Sequence, residues 1–137
     1  LKREPGRAVV LDALLRLERS SSEEIQAEME RYLQHRRTTQ PPGASMGSMF
    51  KNPPGDYAGR LIEAAGLKGA RRGEAQISEL HANFFVNLGQ ARSADVAALI
   101  ELARRTVAEK SGVWLELEIE PVGEWEAGQT GWEGNIG

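Results

Sequence analysis

Along residues 7–20, RAVVLDALLRLERS, apolar and polar positions partly alternate: Val9, Leu11, Ala13, Leu15 and Leu17 share one parity, and Val10, Asp12, Leu14, Arg16 and Glu18 share the other. This pattern predicts a strand, with a short helix as the alternative that the leucines also allow. The period then changes. In SSSEEIQAEMERYLQHRR, Ile25, Met29 and Leu33 recur every fourth residue on one face of a helix. Ser21 and Glu24 have the spacing of a capping box, in which a hydroxyl and a carboxylate satisfy amides left open at a helix start. Pro41, Pro42 and Gly43 should end this helix. Further on, Asp56 can cap a short helix that brings Ala58, Leu61, Ile62 and Ala65 together, with Gly66 placed for a left-handed stop. AQIS (75–78) and NFFVNLG (83–89) read as short strands. Ser93 is the expected cap of the longest helix, SADVAALIELARRTVAEKSG, whose apolar stripe is Val96, Leu99, Ile100, Ala103 and Val107. VWLELEIEPVG (113–123) shows the clearest alternation, with Leu115, Leu117 and Ile119 on one face and Glu116, Glu118 and Glu120 on the other, and predicts a strand. The segment after it, EWEAGQTGWEGNIG, is rich in glycine.

The order β-α-β-α-β-β-α-β, with its strands close together in the middle, favours an α+β fold in which a small, mostly antiparallel sheet packs with three to four helices. A chain of 137 residues, 40% apolar and 27% charged, suits one modest core. It contains no cysteine, which removes disulfides and thiolate metal sites, and His35 and His81 are too few to bind zinc unaided. Apolar runs such as Ala8–Leu11 are broken by charge after a few residues, so neither a membrane span nor a secretory leader is expected. The chain begins at Leu1 and reaches its first methionine at Met29, so it reads as a piece of a longer product.

Charge changes the picture more. The chain carries a net −3, yet residues 36–72 hold seven basic groups (Arg36, Arg37, Lys51, Arg60, Lys68, Arg71 and Arg72) against Asp56 and Glu63, a local +5 that leaves −8 for the remainder. The overall charge argues against a general nucleic-acid binder, while a basic middle suits a phosphate-bearing ligand, an acidic partner or plain solvated surface. Within it lies GSMFKNPPGDY (47–57), where Ser48 precedes Lys51 and Asn52. A serine hydroxyl is a very weak acid, so Ser48 would donate a proton only in a site that stabilises its alkoxide or returns the proton. By residue chemistry alone, Gly47-Ser48 also reads as a turn, and Asn52–Gly55 as another. The stretch is no nucleophile elbow, and neither a Walker phosphate loop nor a GxGxxG run occurs. Glu118 is either part of the wet face of its strand or a pocket-facing carboxylate. His81 is either a base or the maker of a structural hydrogen bond. Arg104 and Arg105 are expected on the solvent side of the long helix.

Several separated motifs, GSMFKNP, AGRLIEAAGLKG, GEAQIS, HANFFVN, the SADV helix and LELEI before Gly123, agree in order and spacing with one family. Together they closely resemble the C-terminal, substrate-binding part of bacterial UDP-N-acetylenolpyruvoylglucosamine reductase, in the shorter of its two architectural types. Residues 7–40 look like the family's preceding strand and helix. The resemblance implies three regions: 1–40 as the end of the flavin-domain region, 41–123 as the C-terminal substrate-binding domain, and 124–137 as a glycine-rich tail. It further implies a cytoplasmic flavoenzyme of peptidoglycan synthesis, in which NADPH reduces FAD and the reduced flavin passes hydride to the enolpyruvyl double bond of UDP-N-acetylglucosamine enolpyruvate. By the same resemblance Ser48 is the proton donor. Glu118 assists at the enol or carboxylate, and a protonated glutamate there can hydrogen-bond the developing enol. Lys51 and Asn52 bind the substrate, with Arg37, Arg60 and Lys68 as further binding groups chosen on charge and motif position. The family carries FAD on an N-terminal domain with a glycine-rich pyrophosphate-binding stretch, and nothing like it precedes residue 7. This chain is therefore expected to bind no cofactor itself and to be silent alone, or else to act as a nucleotide-sugar-binding module or a purely structural domain. No metal, nucleic acid or membrane is expected as a partner. The geometric expectation is that Ser48 and Glu118 converge on one cavity edged by cationic side chains.

Overall fold

The structure, a computed structural model, describes residues 11–123. The chain divides into two units, Leu1–Tyr32 and Leu33–Gly137. Residues 11–20 form neither helix nor strand and are exposed throughout. The strand expected over 7–20 is thus not formed in its described part, and residues 7–10 lie outside the described residues. Alternation makes a strand only where an edge accepts its backbone groups, and among the described residues no strand pairs with this stretch.

Helix α1 (Ser22–Thr39) follows and spans the division between the units. The capping box forms as its spacing requires: the Glu24 amide donates to Ser21 Oγ at 3.2 Å, and the Ser21 amide donates to Glu24 Oε2 at 3.3 Å. Glu23 and Glu24 stand in the first turn and Arg36 and Arg37 in the last, which complements the helix dipole at both ends. No residue of α1 is buried, so Ile25, Met29 and Leu33 share a face that remains in water. The helix ends immediately before the Pro41-Pro42-Gly43 breaker.

The second unit holds the core. Strand β1 (Ala44–Ser48) leads through Met49 and Phe50 to helix α2 (Ala58–Ala64); β2 (Arg71–Arg72), β3 (Ala75–Ile77) and β4 (Phe84–Asn87) come next, and helix α3 (Ser93–Ser111) follows. The strands form one antiparallel sheet in the order β1-β4-β3-β2. Helix α3 packs on β3 and β2, and α2 packs on α3. Leu61 and Ile62 from α2, Ile77 and Phe85 from the sheet, and Leu99, Ile100, Ala103 and Val107 from the stripe of α3 make the core with Met49 and Phe50. The result is a small α+β domain with a four-stranded antiparallel open sheet, as the element order predicts.

Three local expectations need correction. Ser93 is the first helical residue of α3, and the cap position belongs to Arg92, whose amide is taken by the Asp95 carboxylate at 2.9 Å. An acid at the third helical position serves here because its side chain reaches back to the open amide. Residues 113–123 form no ladder strand: their single bridge pairs Leu117 with Phe50. The alternation is nevertheless physical, with Leu115 buried, Leu117 and Ile119 half-buried, and Glu116, Glu118 and Glu120 exposed. Arg104 is half-buried rather than on the solvent side. Its Nε donates to the Leu115 carbonyl at 3.0 Å, its guanidinium lies over the Trp114 ring, and burial pushes its pKa down. This arginine fastens the 113–119 segment to α3. Lys110 does similar work between the helices, donating from Nζ to the Ala65 carbonyl at 2.8 Å, one of the carbonyls left open at the end of α2. Gly66 follows it at φ +77°, the left-handed stop.

Candidate functional site

The site begins with an irregularity in β1. Ser45 pairs with Val86 and Ser48 with Phe84, so β1 spends three steps where β4 spends two. The extra residue is a β-bulge at Met46–Gly47, and Gly47 adopts φ +78°, a conformation open to glycine at little cost. The bulge re-aims the end of the strand. Ser48 is exposed while Met49 and Phe50 are fully buried.

Five hydrogen bonds then hold the backbone of residues 49–51, one of them from Asn83 Nδ2 to the Phe50 carbonyl at 2.8 Å. The Met49 amide donates to the Asn83 carbonyl at 2.8 Å, and the Phe50 amide donates to Asn83 Oδ1 at 2.9 Å. From a later part of the chain, the Glu118 amide donates to the Met49 carbonyl at 2.9 Å, and Glu116 accepts the Lys51 amide at 2.8 Å. The last two bonds place residues 116–118 beside 49–51, so Ser48 and Glu118 are neighbours across the chain although 70 positions separate them in sequence.

A polar cleft of about 380 Å³ opens beside Ser48, lined also by Asn52, Tyr57, Gly59, Arg60 and His81. A larger cavity of about 420 Å³ lies between β1, β4 and the start of α3, but its walls are mostly apolar (Met46, Val86, Val96, Ile100, Ile119 and Val122) and do not include Ser48. The cleft that Ser48 lines, with Asn52 and Arg60 beside it, is the candidate site. Asn52 stands at its floor, and its Oδ1 accepts the Ala58 amide at 3.1 Å, satisfying the start of α2. That is the capping role expected of Asp56. Asp56 instead accepts the adjacent Tyr57 amide at 2.7 Å and pairs with Arg60, whose Nε donates to Oδ1 at 2.6 Å. A residue one step before the cap position Tyr57 can face the next turn, which explains the exchange of roles.

The Arg60 guanidinium, then the Tyr57 amide, hold the Asp56 carboxyl at about 2, below its ordinary 3.8. A carboxyl depressed by folding contributes stability that is fully present above its unfolded value and is lost as pH falls through its folded value. We expect Asp56→Asn to reduce the loss of stability between about pH 4 and pH 2. Denaturant midpoints measured across that window check this, and identical slopes for parent and variant would contradict it. The pair is exposed to water, which keeps the effect small.

The other expected site residues divide. Ser48, Asn52 and Arg60 share the cleft. Lys51 stands next to it and pairs with Glu116 at 3.2 Å, both exposed. Glu118 is exposed and adjacent through its backbone, outside the cleft's lining. Lys68 is not in the cleft and pairs with Glu63 at 2.7 Å; Arg37 is exposed on the last turn of α1 and is likewise outside it. His81 makes the structural bond of the two alternatives, its Nδ1 accepting the Asn83 amide at 3.2 Å, with its ring edge-on to Phe84. Asn83 received no role from the sequence, because nothing in the spacing of HANFFVN distinguishes it from a strand-initiating turn residue. Among the described residues no cluster of three or more histidine or acidic side chains is arranged to hold a metal ion, and no helix is long and apolar enough to cross a membrane.

Fold and site together define the class: a small α+β domain whose polar cleft opens beside a bulged edge strand. Comparison with known proteins gives the family. The family model for the C-terminal domain of UDP-N-acetylenolpyruvoylglucosamine reductase matches residues 38–122, and the chain belongs to that family. Over 114 residues it is 54% identical to a UDP-N-acetylenolpyruvoylglucosamine reductase of Chloroflexus aggregans, and over 113 residues 55% identical to one of Alkalilimnicola ehrlichii; the matches cover 83% and 82% of this chain and 38% of each relative. The crystal structure of UDP-N-acetylenolpyruvylglucosamine reductase from Thermus caldophilus superposes with a TM-score of 0.63 at 48% identity, covering 77% of this chain and 37% of that one. The chain thus spans less than two fifths of the length of these relatives.

Proposed function

We propose that this chain supplies the substrate-side groups of a cytoplasmic reductase that converts UDP-N-acetylglucosamine enolpyruvate to UDP-N-acetylmuramate with NADPH, and that it is silent without the flavin-bearing remainder. The observation that supports the reading is the pair of backbone bonds joining 116–118 to 49–51, which sets the segment bearing Glu118 beside the one that follows Ser48, at a cleft that Ser48 lines and Glu118 does not.

Reduction of the enolpyruvyl double bond adds a hydride equivalent at one carbon and a proton at the other. Once hydride has arrived at the methylene carbon, the electron pair moves toward the carbon bearing the carboxylate and delocalises into that group as an enolate. Ser48 then breaks its O–H bond and delivers the proton to this carbon, and its alkoxide is reprotonated from water. Glu118, when protonated, donates a hydrogen bond to the enolate oxygen and lowers the cost of the charge that accumulates there. Asn52, Arg60 and Lys51 face the diphosphate and sugar of the substrate, for which charge-assisted bonds are the strong ones. Arg37 and Lys68 act as outlying cations.

The described residues do not fit a flavin pyrophosphate. At each of the three helix starts that would suit such a group, side chains of the chain itself already engage an amide: Ser21 and Glu24, Asn52, and Asp95. By the family resemblance FAD and NADPH are assigned to the remainder of the enzyme, and no step is assigned to them on this chain.

The test is NADPH oxidation dependent on enolpyruvyl substrate. The chain alone is expected to give none above background, and its fusion to the flavin-bearing portion of the Chloroflexus aggregans relative is expected to turn over. Robust oxidation by the chain alone would overturn the division of labour. A folded, flavin-loaded fusion with no turnover would overturn the reductase reading.

A further inference from the structure

Resting on the reading of Ser48 as proton donor, we infer that Asn83 is the positioning residue that aims its hydroxyl. The carboxamide of Asn83 meets the main chain of Phe50 at two points: Nδ2 donates to the Phe50 carbonyl at 2.8 Å, and Oδ1 accepts the Phe50 amide at 2.9 Å. Its own carbonyl takes the Met49 amide at 2.8 Å. One residue therefore holds three of the four polar groups that the backbone of Met49 and Phe50 presents just after Ser48, from 33 positions away in the chain. The 116–118 segment takes the Met49 carbonyl and the Lys51 amide, so nothing in 49–51 that bears on the direction of Ser48 is left to swing.

Asparagine is the side chain that this task requires. The site needs a donor and an acceptor side by side on one short planar group, which a carboxylate, a hydroxyl or an apolar side chain of that length cannot provide. Asn83 is 3% exposed, so water does not substitute for a lost bond. Its orientation is itself set: the Asn83 amide donates to His81 Nδ1, and the His81 ring presses against α2 so closely that a Cβ on Gly59 would come within 2.9 Å of His81 Cε1. A line of contacts thus runs from α2 through His81 and Asn83 to the loop that carries Ser48. Such placement matters for a proton donor because a misplacement of about 1 Å can cost on the order of 100-fold in rate.

The experiment uses the fusion to the Chloroflexus aggregans flavin portion, with Asn83→Asp, Ser48→Ala and the double variant. Asn83→Asp keeps the volume and an acceptor for the Phe50 amide but turns an oxygen toward the Phe50 carbonyl. It is expected to lower kcat roughly 10- to 100-fold with KM changed by less than about threefold, and to leave flavin reduction by NADPH at the parent rate. The double variant is expected to be no slower than Ser48→Ala alone, because a positioning residue has nothing left to position. Multiplying losses, or a change confined to KM, would overturn the inference while leaving the donor assignment intact. Ser48→Ala turning over at the parent rate would instead sink the donor assignment, and the inference with it. Where Asn83→Asp does not fold, hydrogen exchange in the parent chain decides: the Phe50 amide and the Asn83 carboxamide are expected to be protected like the amides of β4, and exchange at the rate of open chain overturns the role.

Discussion

Replacing Ser48 with alanine in the flavin-loaded fusion lowers turnover of the enolpyruvyl substrate by roughly 100- to 10,000-fold, the range in which general acids contribute. The loss falls entirely in the second half of the reaction. On the proposed reading, flavin reduction is expected to keep the parent rate, and protonation of the substrate is expected to fall to solvent. Two features of the structure make this expectation strong. Ser48 is exposed at the end of an edge strand, beside a cleft, so its hydroxyl is not committed to the core. The residues after it are held by three backbone bonds and two bonds from the Asn83 side chain, so removing one oxygen leaves the loop in place and the variant isolates chemistry from folding. Rapid-mixing kinetics that separate the two half-reactions provide the measurement. Equal loss in both halves would point to disturbed flavin binding, and no loss in the second would remove Ser48 from the mechanism.

Phe50→Ala is expected to destabilise the chain by about 3–5 kcal/mol, the usual cost of removing a buried ring. Phe50 is 1% exposed and stands edge-on to Phe85 with ring centroids 6.1 Å apart, an arrangement that adds to the area term. The cavity left behind cannot collapse easily, because the backbone of Phe50 is pinned by Asn83 and its neighbour Leu117 is bridged to it. Domains hold about 5–15 kcal/mol in total, so this one truncation removes a large share. Urea unfolding followed by near-ultraviolet absorption of the remaining aromatics reads the change directly, and a loss below about 1 kcal/mol would mean that the ring is not in the core.

Both expectations concern residues whose type was conspicuous in the sequence, and that is where the sequence was most legible. The helices could be read because each has its own local signals: the Ser21 and Glu24 box and the Pro41-Pro42 break for α1, the stripe of α3, and Gly66 after α2. The strands depended on partners that no local pattern names. Residues 7–20 alternate as well as many strands do, yet the described part finds no edge and stays irregular, whereas Arg71–Arg72 has no strand signal and pairs with Gln76 and Ala75 because the turn returns it to β3. Residues 113–123 kept their two faces while losing the ladder, since burial follows side-chain parity and pairing follows the reach of a neighbour. The same division holds at the site. Ser48, Asn52 and Arg60 could be placed together because they occur within one turn-and-helix stretch. Charge and motif position nominated Arg37, Arg60 and Lys68 together; Arg37 and Lys68 lie outside the cleft, and Arg60, which lines it, is engaged by Asp56. Asn83 was illegible for a different reason: its role lies in a bond to a backbone 33 positions away, and side-chain spacing carries no record of that.

The bulge at Met46–Gly47 makes the direction of the hydroxyl a matter of counting rather than of composition. Side chains along an extended chain face alternately to either side, so a single surplus residue inverts everything that comes after it. Deleting one residue between Ala44 and Ser48 would keep the serine and all that follows it while exchanging inside for outside, turning the alcohol toward oil and a methionine toward water. Length in this short edge strand is therefore under tighter constraint than residue identity, and point substitutions there are a gentler insult than indels.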